Sequence, residues 1–357
     1  MAAAVTRPVQ SFSPGLPVEV GEIDRKLGEL WSASDAGKVR ASLVNLVVYS
    51  EASDAIKANT PLLAEIAADH AFRALLVQAD SRAAKTDVEA WITAHCHVRE
   101  AGGPKEICSE QITFRLEGPA AERLPNIVFS HLDSDLPLCF WWQGDLHPEP
   151  DARLWTRVDR LIVDSQSWAR PGPQFTILRE IEALGAGRCA VCDLNWTRLF
   201  HLRYAIAQLF DIPAARDKLP RLEKIEIRHL PGHRLTALQF LGWVASRLGW
   251  HLERDGQKSF FRRRDGGESV FDLREDKSAT AAVSSVKLQF PGAEASAERA
   301  AGGEFYGVEF KSQCGAFFSQ MLPAGREKIS DILLSELGRV GRHPLFWPAI
   351  RAIEPLL

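Results

Sequence analysis

The sequence has no long apolar run, little net charge and few cysteines. No segment approaches the length of a bilayer-spanning helix, and the first twenty residues lack the continuous apolar stretch of a secretory signal. A formal net charge of -3 argues against broad electrostatic capture of nucleic acid or an anionic membrane. Six cysteines in 357 residues are too few for a disulfide scaffold, which fits a reducing compartment. We therefore expect a cytoplasmic protein without nucleic-acid or membrane partners.

The common sequence signatures of catalysis and cofactor binding are also absent. The stretches "PGPQ" and "GAGR" lack the strand-turn-helix context of a phosphate-binding loop, and no Gly-x-Ser-x-Gly elbow occurs. "RCAVCDLNW" contains Cys-x-x-Cys, but a strand over its first residues places Cys189 and Cys192 on opposite faces, where they do not bridge. A thiol sensor stays an alternative if the helix begins one turn earlier. The sequence predicts no catalytic residue, no cofactor and no metal site.

What is present is the composition of an ordinary globular protein, with 46% apolar and 25% charged residues. A chain of 357 residues is too long for one small core, so two domains are expected. Two prolines in "IPAARDKLPR" break the helical pattern and mark the boundary. We predict a flexible tail over 1–20, an α/β domain over 21–211, a linker over 212–221 and an α+β domain over 222–357.

The two halves differ in their strand patterns. In the first half, "ASLVNLVVYS", "RALLVQAD", "LPLCFWWQGD" and "RLIVDS" are near-continuous apolar runs separated by helical segments, which is typical of a mainly parallel sheet covered on both faces. The helix "DLNWTRLFHLRYAIAQLFD" closes this half, with Asp193 or Asn195 as its cap. In the second half, runs of alternating strands indicate an antiparallel sheet with helices set to one side. The low-complexity stretch "GAEASAERAAGGE" is predicted to be a surface loop.

Polar residues follow the apolar strands of the first half. Because the carboxyl ends of parallel strands lie along one edge of a sheet, these residues could share a ligand crevice. Asp and Ser are also the preferred caps of the helices that follow such strands, and capping is the favoured interpretation. The candidates for the crevice are Glu51, Asp80, Gln143, Asp145, Asp164 and Ser165.

The stretch "EICSEQITFRLEG" reads as a strand entered through polar residues. Strand alternation puts Cys108 and Glu110 on the apolar face with Ile112, whereas Ser109 and Gln111 face the other way. An edge position or an ion pair is the favoured interpretation of Glu110, and a functional role is the alternative. No base adjoins Cys108 in sequence, so we do not predict a nucleophile there.

Tryptophan and arginine occur together at the start of the closing helix. Trp196 and Arg198 could be exposed, and both residue types are favoured anchors of protein interfaces. The same side chains could instead pack inside the protein. Trp142 lies in an apolar strand, where burial is expected.

Three stretches together resemble the glucose-6-phosphate dehydrogenase assembly protein family, OpcA: "CSEQITFRL", "LPLCFWWQGD" and above all "DLNWTRLFHLRYAIAQLFD". The resemblance covers 43–290. The chain departs from many relatives at His70–Arg73, where they have His-Pro-Cys-Arg, and at Phe200–Leu202, where they often have Thr-Pro-Trp. The motif residues that carry the resemblance include Ser109, Glu110, Gln111, Trp142, Asp193 and Asn195.

This resemblance implies a two-domain, non-enzymatic partner of glucose-6-phosphate dehydrogenase in the oxidative pentose phosphate pathway. The expected function is to bind that enzyme and promote its active oligomeric state, with Trp196, Arg198 and Arg203 as partner-binding residues. The alternative is a protein or enzyme that binds a sugar phosphate or nucleotide in the crevice at the strand ends.

Overall fold

The computed structural model describes residues 13–32, 38–99, 105–256 and 258–357. Contacts divide the chain into two compact units. The first comprises Met1–Gln143 and Asp151–Leu161, and the second comprises Gly144–Pro150 and Ile162–Leu357. The predicted domain limits differ from this division and stay a prediction, and residues 1–12 of the predicted tail lie outside the described residues.

The first unit is built around a sheet whose central strands are parallel. Its strands are β1 (Leu16–Val18), β2 (Lys38–Arg40), β3 (Asn45–Ser50), β4 (Arg73–Asp80), β5 (Asp87–Arg99), β6 (Lys105–Glu117) and β7 (Leu138–Trp142). Strand β8 (Arg160–Val163) has its first two residues in this unit and its last two in the second. Its helices are α1 (Ile23–Ser32), α2 (Ala55–Ala67), α3 (Leu124–Ser130) and α4 (Ala152–Trp155).

The strand order in this unit is β1-β5-β6-β4-β3-β7, and β2 also pairs with β6. β3 pairs in parallel with β4 and β7, and β4 pairs in parallel with β6. Every residue of β3 and β7 is buried, as the unbroken apolar runs predict for strands covered on both faces. The mainly parallel sheet expected from the sequence is confirmed.

The second unit contains strands and helices in roughly equal share. Its strands are β9 (Ala190–Asp193), β10 (Lys224–His229), β11 (His251–Asp255), β12 (Lys258–Arg262), β13 (Glu268–Glu275), β14 (Val283–Phe290), β15 (Ala293–Arg299), β16 (Phe305–Ser312) and β17 (Phe317–Pro323). Its helices are α5 (Pro171–Leu184), α6 (Leu194–Arg198), α7 (Phe200–Leu209), α8 (Pro213–Arg216), α9 (Arg234–Leu248), α10 (Ile329–Leu337) and α11 (Phe346–Ile353).

An eight-stranded sheet in the order β11-β12-β13-β10-β14-β15-β16-β17 forms the core of this unit. Its pairs are antiparallel except for β10 with β13, so the predicted antiparallel sheet is confirmed. Ile225 and Ile227 of β10 and Phe240 of α9 pack together in its apolar core. In β10 and β16, buried residues recur at every second position, which is typical of strands with one face toward the core.

Two local expectations for the second unit are wrong. The stretch predicted as a loop contains β15, which pairs with β14 on one side and β16 on the other. Its Ala295 and Ala297 are buried in the apolar core of the unit. The predicted single closing helix is two helices, α6 and α7, which meet at Leu199. The carboxylate of Asp193 accepts a hydrogen bond from the backbone N–H of Asn195, so the predicted cap is Asp193.

Two of the six cysteines are joined in a disulfide, and the other four are not. Cys96 of β5 and Cys108 of β6 form a disulfide, which the cysteine count did not predict. Cys139, Cys189, Cys192 and Cys314 form no disulfide, so the Cys-x-x-Cys pair is not bridged.

Among the described residues, no helix combines the length and the apolar character that crossing a membrane requires.

Candidate functional site

A cavity of about 500 Å³ opens at the carboxyl ends of β3, β4 and β6 in the first unit. Two of the six predicted crevice residues, Glu51 and Asp80, line it. Gln143 is not among the lining residues, and its side chain exchanges two hydrogen bonds with Asn59, at 2.7 and 3.0 Å. The full lining consists of Glu51, Ser53, Gln78, Ala79, Asp80, Arg82, Arg115 and Glu117.

Several lining groups are held in place by neighbours within the first unit. Tyr49 donates a hydrogen bond to the Glu51 carboxylate at 2.9 Å, and burial, with the charge of Glu51, raises the pKa of that phenol. Asp80 accepts from the backbone N–H of Arg82 at 3.0 Å, and Arg115 pairs with Glu89 at 2.8 Å. The cavity is therefore lined by positioned groups of both charges.

Gly118 shapes the rim of this cavity directly after β6. Its φ is +58°, a conformation that favours glycine. A Cβ at this position would lie 2.8 Å from the carbonyl oxygens of both Ala83 and Lys85. The absence of a side chain at Gly118 thus lets the segment that follows Arg82 lie close to the end of β6, which carries Glu117. The sequence pattern gives no indication of this contact.

The other predicted crevice residues belong to the second unit. Asp164 pairs with Arg198 at 2.9 Å, and its side chain accepts from the backbone N–H of Gln166, so the capping interpretation is confirmed for this residue. Ser165 is fully buried, whereas Asp145 is exposed. The structure places Ser165 in a polar cluster inside the second unit.

Asp193 lies at the centre of that cluster. One carboxylate oxygen accepts from the backbone N–H groups of Ser165 and Asn195, at 2.9 and 3.0 Å. The other accepts from the Ser165 hydroxyl at 2.6 Å and from the Gln239 amide at 2.7 Å. Burial, together with the charge of Asp164, raises the pKa of Asp193 to about 6, although these donors oppose the rise.

We refer to Asp193, Ser165, Asn195, Gln239 and Thr236 as the buried polar cluster. Thr236 joins it by donating to the side-chain oxygen of Asn195 at 2.6 Å. Every member is at most 1% exposed. The only sequence signal for Gln239 is an amide within the apolar run "TALQFLGW", and the pattern does not show which carboxylate it meets.

The three predicted partner-binding residues lie in or beside α6 and α7. Trp196 is 2% exposed, and its ring packs edge-to-face against Phe346 with centroids 5.7 Å apart. The guanidinium of Arg203 lies 3.8 Å from the Trp196 ring centroid and donates to the Trp196 carbonyl at 2.7 Å. Burial, and then the charge of Arg339, lower the pKa of Arg203.

These positions favour the packing interpretation that the sequence left open. Trp196 and Arg203 are buried, and the Arg198 side chain is 9% exposed and paired with Asp164. A direct contact of the three with a partner stays a prediction. The large side chains that α7 does expose are Phe200 and Tyr204, at 46% and 48%.

The motif residues of β6 form polar contacts inside the first unit. Glu110 is 1% exposed and lies 3.0 Å from Arg40 and 3.7 Å from Arg73, so the predicted ion pair is confirmed. Ser109 accepts from the backbone N–H of Phe72 at 3.1 Å. The Gln111 side chain bonds to His95 and Thr113, both at 2.8 Å, and to Thr60 at 3.3 Å.

Trp142 of β7 is buried, as expected for a strand covered on both faces. Its ring packs against Tyr49 with centroids 4.1 Å apart and against Trp155 with centroids 5.8 Å apart. This motif residue therefore serves the core of the first unit.

Two groups of possible metal ligands occur among the described residues. In the first, Cys96 and Cys108 are joined as a disulfide and offer no thiolate beside Glu106. The second is Cys192, Glu336 and His343.

In that second group, Glu336 already accepts hydrogen bonds from Thr197 at 2.5 Å and from His343 at 3.0 Å. Burial raises the pKa of Glu336, but the hydrogen bond and charge of His343, followed by the donors Thr197 and Cys192, lower it to about 2. Arg339 lies 3.5 Å from the same carboxylate, and a guanidinium there disfavours a cation. The donor set is therefore that of a buried ion-pair network.

Two family models match the chain, and both describe a glucose-6-phosphate dehydrogenase subunit. The model of its N-terminal domain matches residues 63–180, and the model of its C-terminal domain matches residues 189–350. The first match includes the cavity residues Asp80 and Glu117, and the second includes Asp193 and Trp196. Together the two models cover most of the chain.

Curated relatives named as candidate OxPP cycle proteins OpcA come from cyanobacteria. The Synechocystis sp. protein is 33% identical over 167 residues, which is 46% of this chain and 34% of the relative. The Nostoc punctiforme protein is 32% identical over 167 residues, or 46% of this chain and 35% of the relative. The chain therefore spans about a third of the length of these two relatives.

The solved structures that align with this chain include two oxidoreductases. Biliverdin reductase from Synechocystis sp., in complex with biliverdin and NADP+, has a TM-score of 0.47 and 10% identity, with 88% of this chain and 98% of that chain covered. Levoglucosan dehydrogenase with NADH and L-sorbose has a TM-score of 0.45 and 8% identity, with coverages of 88% and 91%. At these values the likeness carries no argument about function.

The motifs of β6, β7 and the α6–α7 segment thus occur in a chain that both domain models of one family match. The curated relatives carry the same family name. The chain belongs to the glucose-6-phosphate dehydrogenase assembly protein family, OpcA.

Proposed function

We propose that this protein binds glucose-6-phosphate dehydrogenase and promotes its active oligomeric state without catalysing a reaction itself. The observation that carries the proposal is the match of both family models, whose descriptions refer to that enzyme, across 63–180 and 189–350. The names of the curated relatives, which refer to the OxPP cycle, support the same metabolic setting.

The mechanism is a shift of population. A protein that binds one state of its partner more tightly than another moves the equilibrium toward that state by the ratio of the two affinities. A preference of about 1.4 kcal/mol changes the equilibrium about tenfold. Such an activator needs a specific docking surface and no catalytic group.

We place part of the docking surface on α7. Phe200 and Tyr204 lie one helical turn apart, their rings stack with centroids 6.5 Å apart, and each is nearly half exposed. Aromatic side chains supply much of the binding energy at protein interfaces. Trp196 and Arg203 lie in the same segment and would support this surface from inside, because Arg203 stacks on Trp196.

The test titrates this protein into glucose-6-phosphate dehydrogenase from the same organism. Enzyme activity and molar mass by light scattering should both change in a saturable way. Absence of binding, or binding without any change in activity or assembly, would contradict the proposal.

Matched variants locate the contact. Phe200→Ser with Tyr204→Ser should weaken binding at least about tenfold, as expected when interface anchors are lost. Phe305→Ser on β16 is the control, because Phe305 has a similar exposure of 43%. Weaker binding by the Phe305 variant alone would place the docking surface elsewhere.

A further inference from the structure

We propose that the cavity at the ends of β3, β4 and β6 binds an uncharged, polyhydroxylated molecule, such as a sugar. This inference goes beyond the proposed function, and its test does not involve the dehydrogenase. The cavity volume of about 500 Å³ lies in the range of small-molecule sites, and the carboxyl ends of parallel strands are where α/β sheets bind ligands.

The lining offers hydrogen-bond donors and acceptors side by side. Glu117 and the second carboxylate oxygen of Asp80 accept no hydrogen bond within the described part of the chain. The Gln78 amide nitrogen and the Arg82 guanidinium are donors that the described residues leave unused. Each hydroxyl group both donates and accepts, so a polyol can satisfy both kinds of group at once.

The local backbone disfavours a phosphate in the same place. A helix N-terminus binds phosphate through free N–H groups, usually offered by a glycine-rich loop. At the start of α2, the N–H of Ile56 donates to the Gln78 side chain at 3.1 Å, and that of Ala55 donates to the Ala52 carbonyl at 3.0 Å. The loop before this helix contains no glycine and carries Glu51 and Asp54.

Charge leads to the same conclusion. The lining contains three carboxylates, on Glu51, Asp80 and Glu117, and two guanidinium groups, on Arg82 and Arg115. Arg115 is already paired with Glu89, which leaves Arg82 as the cation able to meet a ligand. An anionic ligand would meet net repulsion, whereas a neutral polyol can accept charge-assisted hydrogen bonds from Arg82 and donate them to the carboxylates.

The experiment titrates the full chain with D-glucose and D-ribose, observed by saturation-transfer NMR and by the midpoint of thermal unfolding. Inorganic phosphate and glucose 6-phosphate form the anionic arm. We expect saturable binding of a neutral sugar with a Kd of about 1 to 10 mM, typical of weak polar recognition. We expect tighter binding of the neutral sugar than of either phosphate.

Two variants and two matched controls assign the site. Glu117→Gln and Arg82→Gln should each weaken sugar binding by about tenfold, because a charge-assisted hydrogen bond becomes a neutral one. Glu122→Gln and Arg123→Gln make the same chemical changes at nearby exposed positions outside the lining and should leave the Kd unchanged.

Unchanged unfolding midpoints of the ligand-free variants would show that they fold. The proposal is overturned if neither sugar binds saturably, if inorganic phosphate or glucose 6-phosphate binds more tightly than both sugars, or if the control variants weaken binding as much as the cavity variants do.

Discussion

The buried polar cluster of the second unit supplies hydrogen-bond donors to both oxygens of its carboxylate, whereas the cavity of the first unit leaves a carboxylate and a guanidinium open to a ligand. In the cluster, four donors occupy both oxygens of Asp193. In the cavity, Glu117 and Arg82 face open volume and form no hydrogen bond with each other. Burial without partners is costly, so a carboxylate such as Asp193 must be satisfied by the protein itself. A polar group is available to a ligand where the protein leaves it unsatisfied beside a cavity.

The largest effect that we expect in a test of this comparison is the loss of stability when Trp196, which adjoins the buried polar cluster, is replaced. Trp196→Ala should lower the free energy of unfolding by about 3 to 5 kcal/mol, because it removes a buried ring and its contacts with Phe346 and Arg203. Urea unfolding measures the change. Phe200→Ala, at a 46% exposed position, is the control and should cost much less.

A Trp196→Ala variant of unchanged stability that loses only dehydrogenase binding would break the comparison. It would mean that Trp196 is a surface anchor, as one of the two interpretations of the sequence proposed.

The second effect is the pH dependence of the stability that Asp193 of the buried polar cluster contributes. The pKa of Asp193 is raised from 3.8 to about 6 in the folded state, so its contribution to stability is full below pH 3.8 and is lost as pH rises through 6. The loss is about 3 kcal/mol at most, since each pH unit between the two pKa values corresponds to about 1.4 kcal/mol.

Because other groups titrate over the same range, the measurement compares urea unfolding of the wild type and Asp193→Asn from pH 3.5 to 7. The wild type minus variant difference should fall as pH rises through 6. A difference that is constant with pH would show that the pKa of Asp193 is the same in the folded and unfolded states, and a difference that increases with pH would show that the four donors lower the folded-state pKa.

A third, smaller effect compares one residue type in both regions. Ser165→Ala should cost about 1 to 3 kcal/mol, because it leaves part of the buried Asp193 carboxylate without its donor. Ser53→Ala, at an exposed position of the cavity lining, should stay within about 0.5 kcal/mol. Equal costs for the two changes, measured by urea unfolding, would contradict the distinction between satisfied and available groups.

The smallest effect concerns the cavity carboxylate. Glu117→Gln should change the free energy of unfolding by less than about 0.5 kcal/mol, since the side chain makes no hydrogen bond that the fold requires. Thermal and urea unfolding check this value. A cost above about 1 kcal/mol would assign Glu117 to the support of the fold.

Sequence patterns predicted those features that depend on local periodicity. Unbroken apolar runs identified β3, β4 and β7 as parallel strands, because strands covered on both faces need apolar residues at every position. Alternation placed Glu110 on the apolar face of β6, where a buried carboxylate requires a cation, and Arg40 and Arg73 supply it. Helix-cap chemistry left Asp193 and Asn195 as the two candidate caps of α6, and the structure shows that Asp193 is the cap.

Contacts between distant parts of the chain escaped prediction. Gln239 reaches Asp193 across 46 positions, and Arg115 and Glu117 enter the cavity from a strand whose pattern shows only alternation. The disulfide depends on the register of β5 against β6, which sets Cys96 opposite Cys108. In β15, small apolar residues were mistaken for a loop because alanine alternation is a weak strand signal.

Gly118 makes the shape of the cavity sensitive to a substitution at a residue outside its lining. Gly118 is not one of the lining residues, yet any other amino acid there places a β-carbon against the carbonyls of Ala83 and Lys85. A change such as Gly118→Ala would thus push the two sides of the rim apart while every recognition group keeps its chemical identity. The shape of this cavity therefore depends on a residue that offers no hydrogen-bonding group to a ligand.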